Sequence, residues 1–169
     1  MWVLFTFFVF LSLLFQAQGF NSQNPTCNSK DLRALEGLLN VLDSEEKRVV
    51  GLNLGNRGLK GVVAELLAGL DPLRILNLSF NSLRGPVSVD LFLLQHLQVL
   101  DLSHNWLSGQ LNERVGNLSN LTHLDISFNG FSGIIPDVFY GVRKLENFSA
   151  QANSFMGPLP ISLSFARSI

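Results

Sequence analysis

Asp101 and Asp125, with His104 and His123 close to them in sequence, are the residues whose types and spacing come nearest to chemistry. Two carboxylates held beside an imidazole can move protons or bind a metal ion. Either task needs a pocket that keeps water out. The 24-residue spacing of the two aspartates points instead to a periodic surface, on which they form a solvated and mildly repulsive pair. We therefore expect no catalytic residue, no metal ligand and no cofactor. A second group carries a modification signal. Asn77-Leu78-Ser79, Asn117-Leu118-Ser119, Asn120-Leu121-Thr122 and Asn147-Phe148-Ser149 are N-glycosylation motifs, relevant to a chain that enters the secretory pathway. Asn117 and Asn120 are three residues apart and compete as acceptors.

The element that positions these residues is an internal repeat. Leu52-Asn53-Leu54, Leu76-Asn77-Leu78, Leu100-Asp101-Leu102, Leu124-Asp125-Ile126 and Phe148-Ser149-Ala150 follow one another at 24-residue intervals, without insertion or deletion. Upstream runs Val49, Leu73, Leu97, Leu121 and Leu145. Downstream runs Leu59, Leu83, Leu107, Phe131 and Phe155, then Gly61, Gly85, Gly109, Gly133 and Gly157. On the far side lie Leu67, Leu91, Val115, Phe139 and Leu163. Each turn places a short strand whose alternate side chains point inward. A single turn cannot bury its apolar edge, so neighbours stack and share one core. Five such strands, about 4.8 Å apart, make a parallel sheet about 20 Å across.

Asn81, Asn105, Asn129 and Asn153 recur where the chain bends out of the strand. An amide there can satisfy both the N–H and the C=O groups that the bend leaves unpaired, each worth about 1–3 kcal/mol when buried. These four are expected to form a structural ladder. The first turn has Arg57 at this place. The glycine column marks a bend or a close approach, and Pro136 and Pro160 suit an irregular edge.

Four columns are expected to face solvent along the strands: Gly51, Ile75, Val99, His123 and Asn147; Asn53, Asn77, Asp101, Asp125 and Ser149; Gly55, Ser79, Ser103, Ser127 and Gln151; Asn56, Phe80, His104, Phe128 and Ala152. Phe80, His104 and Phe128 would lie side by side, and exposed aromatics beside polar columns suit peptide or protein recognition. The candidate binding face is Phe80, Val99, Asp101, His104, His123, Asp125, Phe128 and Gln151. Glycans at Asn77 or Asn147 would cover part of it. The alternative reading is that the phenylalanines pad the strand edge.

The ends differ from the repeat. Residues 2–15 are almost wholly apolar and are followed by Gln16-Ala17-Gln18-Gly19, the pattern of a signal peptide cleaved near Gly19, with an uncleaved anchor as the alternative. The segment is short for a membrane span of roughly 20 residues. Lys30 to Leu42 carries Leu32, Leu35, Leu38, Leu39 and Leu42 at helical spacing, after Asp31. This helix is expected to cover the first turn within a cap region at 20–47, ahead of a repeat domain at 48–169. Ile169 stands where a sixth strand would start, so an exposed apolar edge and marginal stability are expected. Twelve basic and 13 acidic residues leave no nucleic-acid footprint. The single cysteine, Cys27, excludes an internal disulfide framework.

Leu97-Gln98-Val99-Leu100-Asp101-Leu102-Ser103-His104-Asn105-Trp106-Leu107-Ser108-Gly109 and Phe131-Ser132-Gly133-Ile134-Ile135-Pro136 resemble the plant receptor type of leucine-rich repeat. The resemblance runs from Arg48 to Ile169 and implies a leucine-rich-repeat solenoid of the α/β repeat class. Such a fold is a curved right-handed superhelix of about five repeats, with one parallel β-sheet on its concave face. Within that class, Cys27-Asn28-Ser29-Lys30-Asp31-Leu32-Arg33-Ala34-Leu35, Arg48 to Asn56, Asn117 to Ser127 and Ile135-Pro136-Asp137-Val138-Phe139 are similar to phytosulfokine receptors. Those receptors bind a sulfated peptide hormone outside the cell and signal through one membrane helix to a Ser/Thr kinase.

The sequence departs from that plan. The entry cap's Cys-Cys pair, tryptophan and further cysteine are missing. No hormone-binding island interrupts the repeats. No membrane helix or kinase signature follows, and Gln110–Leu163 resembles repeats from deeper in such an ectodomain. A spliced, internally deleted or partial gene product accounts for all four. The expected function is an extracellular ligand- or protein-binding module, like a truncated peptide-hormone receptor ectodomain. The alternatives are a free-standing secreted inhibitor or co-receptor partner, and a gene fragment without function. Partners are expected to be a peptide, a protein, a receptor kinase or a co-receptor. Location is expected to be the apoplast. Membrane attachment would come only through a missing downstream segment or an uncleaved leader.

Overall fold

The computed structural model describes residues 41–42, 49–63, 70, 72–164 and 166. The expected leader at 1–19, most of the cap region at 20–47, Leu67 and Ile169 lie outside the described residues.

Alternation of apolar and polar residues builds the first sheet. β1 (Val41–Leu42), β2 (Val49–Asn53), β4 (Ile75–Asn77), β6 (Val99–Asp101), β8 (His123–Asp125) and β10 (Asn147–Ser149) stand in that order across it. From β2 onward the pairing is parallel and in repeat register: Leu52 faces Leu76, Leu76 faces Leu100, Leu100 faces Leu124 and Leu124 faces Phe148. All five of these central side chains are buried. Burial of each stabilises the fold by about 1.5–3 kcal/mol.

β1 corrects the expected helix at its last residues. Val41 lies opposite Gly51 in an antiparallel pair, so this segment extends the sheet. The outer edge of β2 offers unpaired N–H and C=O groups, and a short strand satisfies them where a helix could not.

A second sheet lies beyond the asparagine bend, where only a single sheet was expected. β3 (Lys60–Gly61), β5 (Ser82–Gly85), β7 (Trp106–Gln110), β9 (Gly130–Gly133) and β11 (Ser154–Phe155) pair in sequence order, all parallel. Once every turn bends at the same residue, the backbones just past the bend also lie at strand spacing, and they pair. The only sequence trace is brief alternation, as in exposed Trp106, buried Leu107 and exposed Ser108. Gly85, Gly109 and Gly133 have positive φ of 78°, 87° and 77° and turn the chain within or at the end of these strands.

The return path is built from 3-10 turns at Val89–Leu93, Glu113–Asn117, Phe139–Gly141 and Ile161–Leu163. Among the described residues no α-helix occurs, because a 24-residue circuit with two strands leaves room for little more than one tight turn. Ser88 and Asn112 cap two of them, accepting from the N–H groups of Asp90 (3.3 Å) and Arg114 (2.9 Å). Successive turns approach closely here. A Cβ added at Gly141 would meet the carbonyl oxygen of Gly116 at 2.6 Å. The interior between the sheets and these turns is filled by leucines, with Phe139 meeting Phe148 edge-on at 5.4 Å.

Candidate binding face

The asparagine bends set the geometry of the face. Asn105 accepts from the Leu83 N–H (3.0 Å) and donates to the carbonyls of Leu78 (3.0 Å), Leu102 and Ser103 (both 3.1 Å). Leu83 and Leu78 belong to the preceding turn, so each amide ties its own bend to the one before. Asn81, Asn129 and Asn153 repeat the pattern: they accept from Leu59, Leu107 and Phe131 and donate back to Leu54, Leu102 and Ile126. Among the described residues no buried side-chain polar atom lacks a partner. The first turn has the β1 hairpin partner before it rather than another bend, which leaves Arg57 without this task.

The residue before each asparagine, and before Arg57 in the first turn, is forced into the left-handed region. Asn56, Phe80, His104, Phe128 and Ala152 have φ of 52–54°. Their backbones are held by the next turn: the N–H of Phe80 donates to the Ser103 carbonyl (3.0 Å), that of His104 to Ser127 (3.0 Å) and that of Phe128 to Gln151 (2.9 Å). Identical backbone settings at strand spacing leave the three rings parallel. Phe80 and His104 stack at 4.0 Å and 13°, and His104 and Phe128 at 4.2 Å and 9°. Phe80 remains 56% exposed and Phe128 46%, so the outer faces of the stack are open to solvent.

The two carboxylates are held by their own strands. Asp101 and Asp125 do stand opposite one another on β6 and β8. Each is committed to its own strand end. Asp101 Oδ1 accepts from the N–H (3.0 Å) and hydroxyl (2.7 Å) of Ser103, and Asp125 Oδ1 does the same for Ser127 (2.9 and 2.6 Å). Asn77 serves Ser79 likewise. Here two expectations need correction. Ser79, Ser103 and Ser127 are buried rather than solvent-facing, because each turns its hydroxyl back onto the acceptor two residues earlier. Gly51 is also buried, under β1. The repeated Asn/Asp-x-Ser spacing was the available signal for this pairing.

Val99, Asp101, His123 and Asp125 surround one shallow hollow of about 310 Å³, together with Asn147 and Ser149, which were not among the expected binding residues. Thr122 donates its hydroxyl to the Gln98 carbonyl (2.9 Å) and stands 2.9 Å from His123 Nδ1. With the Thr122 proton used, His123 Nδ1 is the donor in that contact, and Nε2 is the nitrogen left for a ligand. Gln151 is exposed past the stack. Among the described residues no group of acidic, histidine or cysteine side chains is arranged to hold a metal ion.

The glycan motifs fall into different settings. Asn117 is exposed at the end of a 3-10 turn. Asn120 donates to the Gln95 carbonyl (2.9 Å) and accepts from Lys144 Nζ (2.7 Å). Asn77 and Asn147 are half-buried in the first sheet.

The Leucine Rich Repeat family model matches residues 72–94, 96–118 and 120–142. Among solved structures, the ectodomain of the Arabidopsis thaliana receptor kinase SOBIR1 is 30% identical, with a TM-score of 0.66 over 83% of this chain and 91% of that one. The BIR3–SERK2 complex, also from Arabidopsis thaliana, contains a chain 29% identical, with a TM-score of 0.68 over 75% of this chain and 71% of that one. The plant peptide hormone receptor RGFR1, solved in complex with RGF2, is 35% identical, with a TM-score of 0.63 over 65% of this chain. The chain spans 18% of the length of that hormone receptor.

Proposed function

Because the chain belongs to the leucine-rich-repeat family of plant receptor-kinase ectodomains, we propose that it is an extracellular recognition module that binds a peptide or protein and performs no catalysis. The observation that carries this reading is the open stack of Phe80, His104 and Phe128 beside the Val99–His123 hollow. A rigid aromatic ledge next to a hollow of mixed apolar and polar lining offers area at low entropic cost and a few orienting hydrogen bonds. In this reading residues 1–19 are a leader, 20–47 belong to a cap, and 48–169 form the recognition domain. Asn117 is the glycan acceptor that leaves the face clear.

The resemblance to phytosulfokine receptors supports a sulfated peptide as the ligand. A second reading is supported by the match to a chain of the BIR3–SERK2 complex over 71% of its length. It makes the chain a partner that pairs laterally with another receptor ectodomain. One experiment separates them. The secreted chain is immobilised and exposed to a sulfated peptide, to its unsulfated twin and to the SERK2 ectodomain. At least one should bind, and Phe80→Ser with Phe128→Ser should weaken that binding at least tenfold while the melting transition is kept. Binding that ignores the double variant would overturn the assignment of the face.

A further inference from the structure

The second sheet carries a cluster for which the recognition face has no use. Side chains on β5 alternate, so Ser82 and Arg84 share its outward face. Lys60 lies opposite Ser82, and Trp106 lies opposite Arg84. Lys60, Gly61, Ser82, Arg84 and Trp106 line one shallow cavity of about 330 Å³. Trp106 is 73% exposed. The fold does not require a large side chain there: the other turns place Gly58, Ser82, Gly130 and Ser154 at the same position. Lys60 and Arg84 are exposed, and among the described residues neither has a carboxylate partner. The five strands of this sheet contain no Asp or Glu, on a chain whose net charge is −1. Beyond Trp106 the outward row continues as Ser108, Gln110 and Ser132, which are polar and small or flexible.

An indole face lying open on a sheet can take a cation, an apolar side chain or the C–H face of a sugar ring. The two flanking cations repel the first. The second would use the largely apolar lining but would leave the ammonium and guanidinium groups without partners. A ring that is apolar on its faces and anionic at its edge satisfies every group present. We propose that Trp106, Arg84 and Lys60 form a second binding site, for an acidic polysaccharide of uronate units. A pyranose ring stacks on the indole. Its carboxylates pair with the Arg84 fork and the Lys60 ammonium. Ser82 and Ser108 take the ring hydroxyls, and Gly130 leaves the indole open along the row.

The test is calorimetric titration of the full chain with a decamer of α-1,4-linked galacturonic acid, with neutral cello-oligosaccharide and with poly-glutamate of equal charge as comparisons. The uronate decamer should bind, the neutral sugar should not, and poly-glutamate should bind at least tenfold more weakly. Trp106→Ser, which installs the residue found in two other turns, should weaken binding at least tenfold with an unchanged melting transition. Lys60→Gln with Arg84→Gln should do the same and flatten the salt dependence. Phe80→Ser with Phe128→Ser should leave it unchanged, which separates this site from the recognition face. The proposal is overturned by absent uronate binding, by variants that bind as well as the parent, or by poly-glutamate binding as tightly as the sugar.

Discussion

At the scale of single residues, the bend column explains both stability and shape. Asn105→Ala removes the acceptor for one buried N–H and the donor to three carbonyls. It should cost about 2–4 kcal/mol in a denaturant titration, and more than Asn153→Ala, whose site is less buried. The residue before the asparagine tells a complementary story. Ala152 has φ 54° and no ring to stack. Ala152→Gly relieves a left-handed penalty of about 1–2 kcal/mol against a flexibility cost of about 0.5–1 kcal/mol, so the thermal midpoint should rise slightly. Phe80→Gly, at the equivalent place, loses the stacking on His104 and should not stabilise. Asp137 adds a pH signature. Its carboxyl is held below the ordinary carboxylate value by the hydroxyl of Ser162 and then by the Ser162 N–H, which donates to Oδ1 at 2.9 Å. A lowered native value means that the stabilisation is present above the unfolded value of about 3.9 and is lost as pH falls through the native one. The protection of the Ser162 amide, taken relative to its intrinsic exchange rate, should therefore fall on acidification below about pH 4, and Asp137→Asn, which keeps an acceptor oxygen, should remove that dependence.

At the scale of elements, close packing between successive 3-10 turns is the point of least tolerance. A Cβ at Gly116 would meet the Val138 carbonyl oxygen at 2.6 Å and Val138 Cβ at 3.0 Å. Gly116→Ala should destabilise by about 1–3 kcal/mol, measured as a lower denaturation midpoint with an unchanged slope. This contact also shows what could be read in advance. The first sheet was legible because Leu52, Leu76, Leu100 and Leu124 repeat an inward side chain at fixed spacing. The second sheet left only the alternation around Leu83 and Leu107, too short to separate from a loop. Gly116 and Gly141 are 25 residues apart, off the main register, so nothing in the columns announced their contact. The buried serines at 79, 103 and 127 were misplaced because alternation was extended past the strand. There the chain already turns, and hydrogen bonding to Asn77, Asp101 and Asp125 decides the direction of the side chain.

At the scale of the whole molecule, stability is carried between neighbours. Each asparagine bend is bonded to the preceding one and each inner strand to two others, so the inner turns have partners on both sides. Native-state hydrogen exchange should be slowest at Leu100–Asn105 and Leu124–Asn129, and faster at β10 and β11, as a one-dimensional stack requires. The positions of the aromatic column could be read in the sequence, but its stacked geometry depended on a shared φ of 52–54° that no residue pattern states. The central claim is that the first sheet and its aromatic ledge are the surface that meets a partner. Hydrogen exchange of the chain with and without its bound peptide or ectodomain tests this most directly. Slower exchange should be confined to β6, β8, β10 and the segment from Phe80 to Asn129 nearest the ring stack. Protection confined to the 3-10 turns, with the stack unchanged, would contradict it.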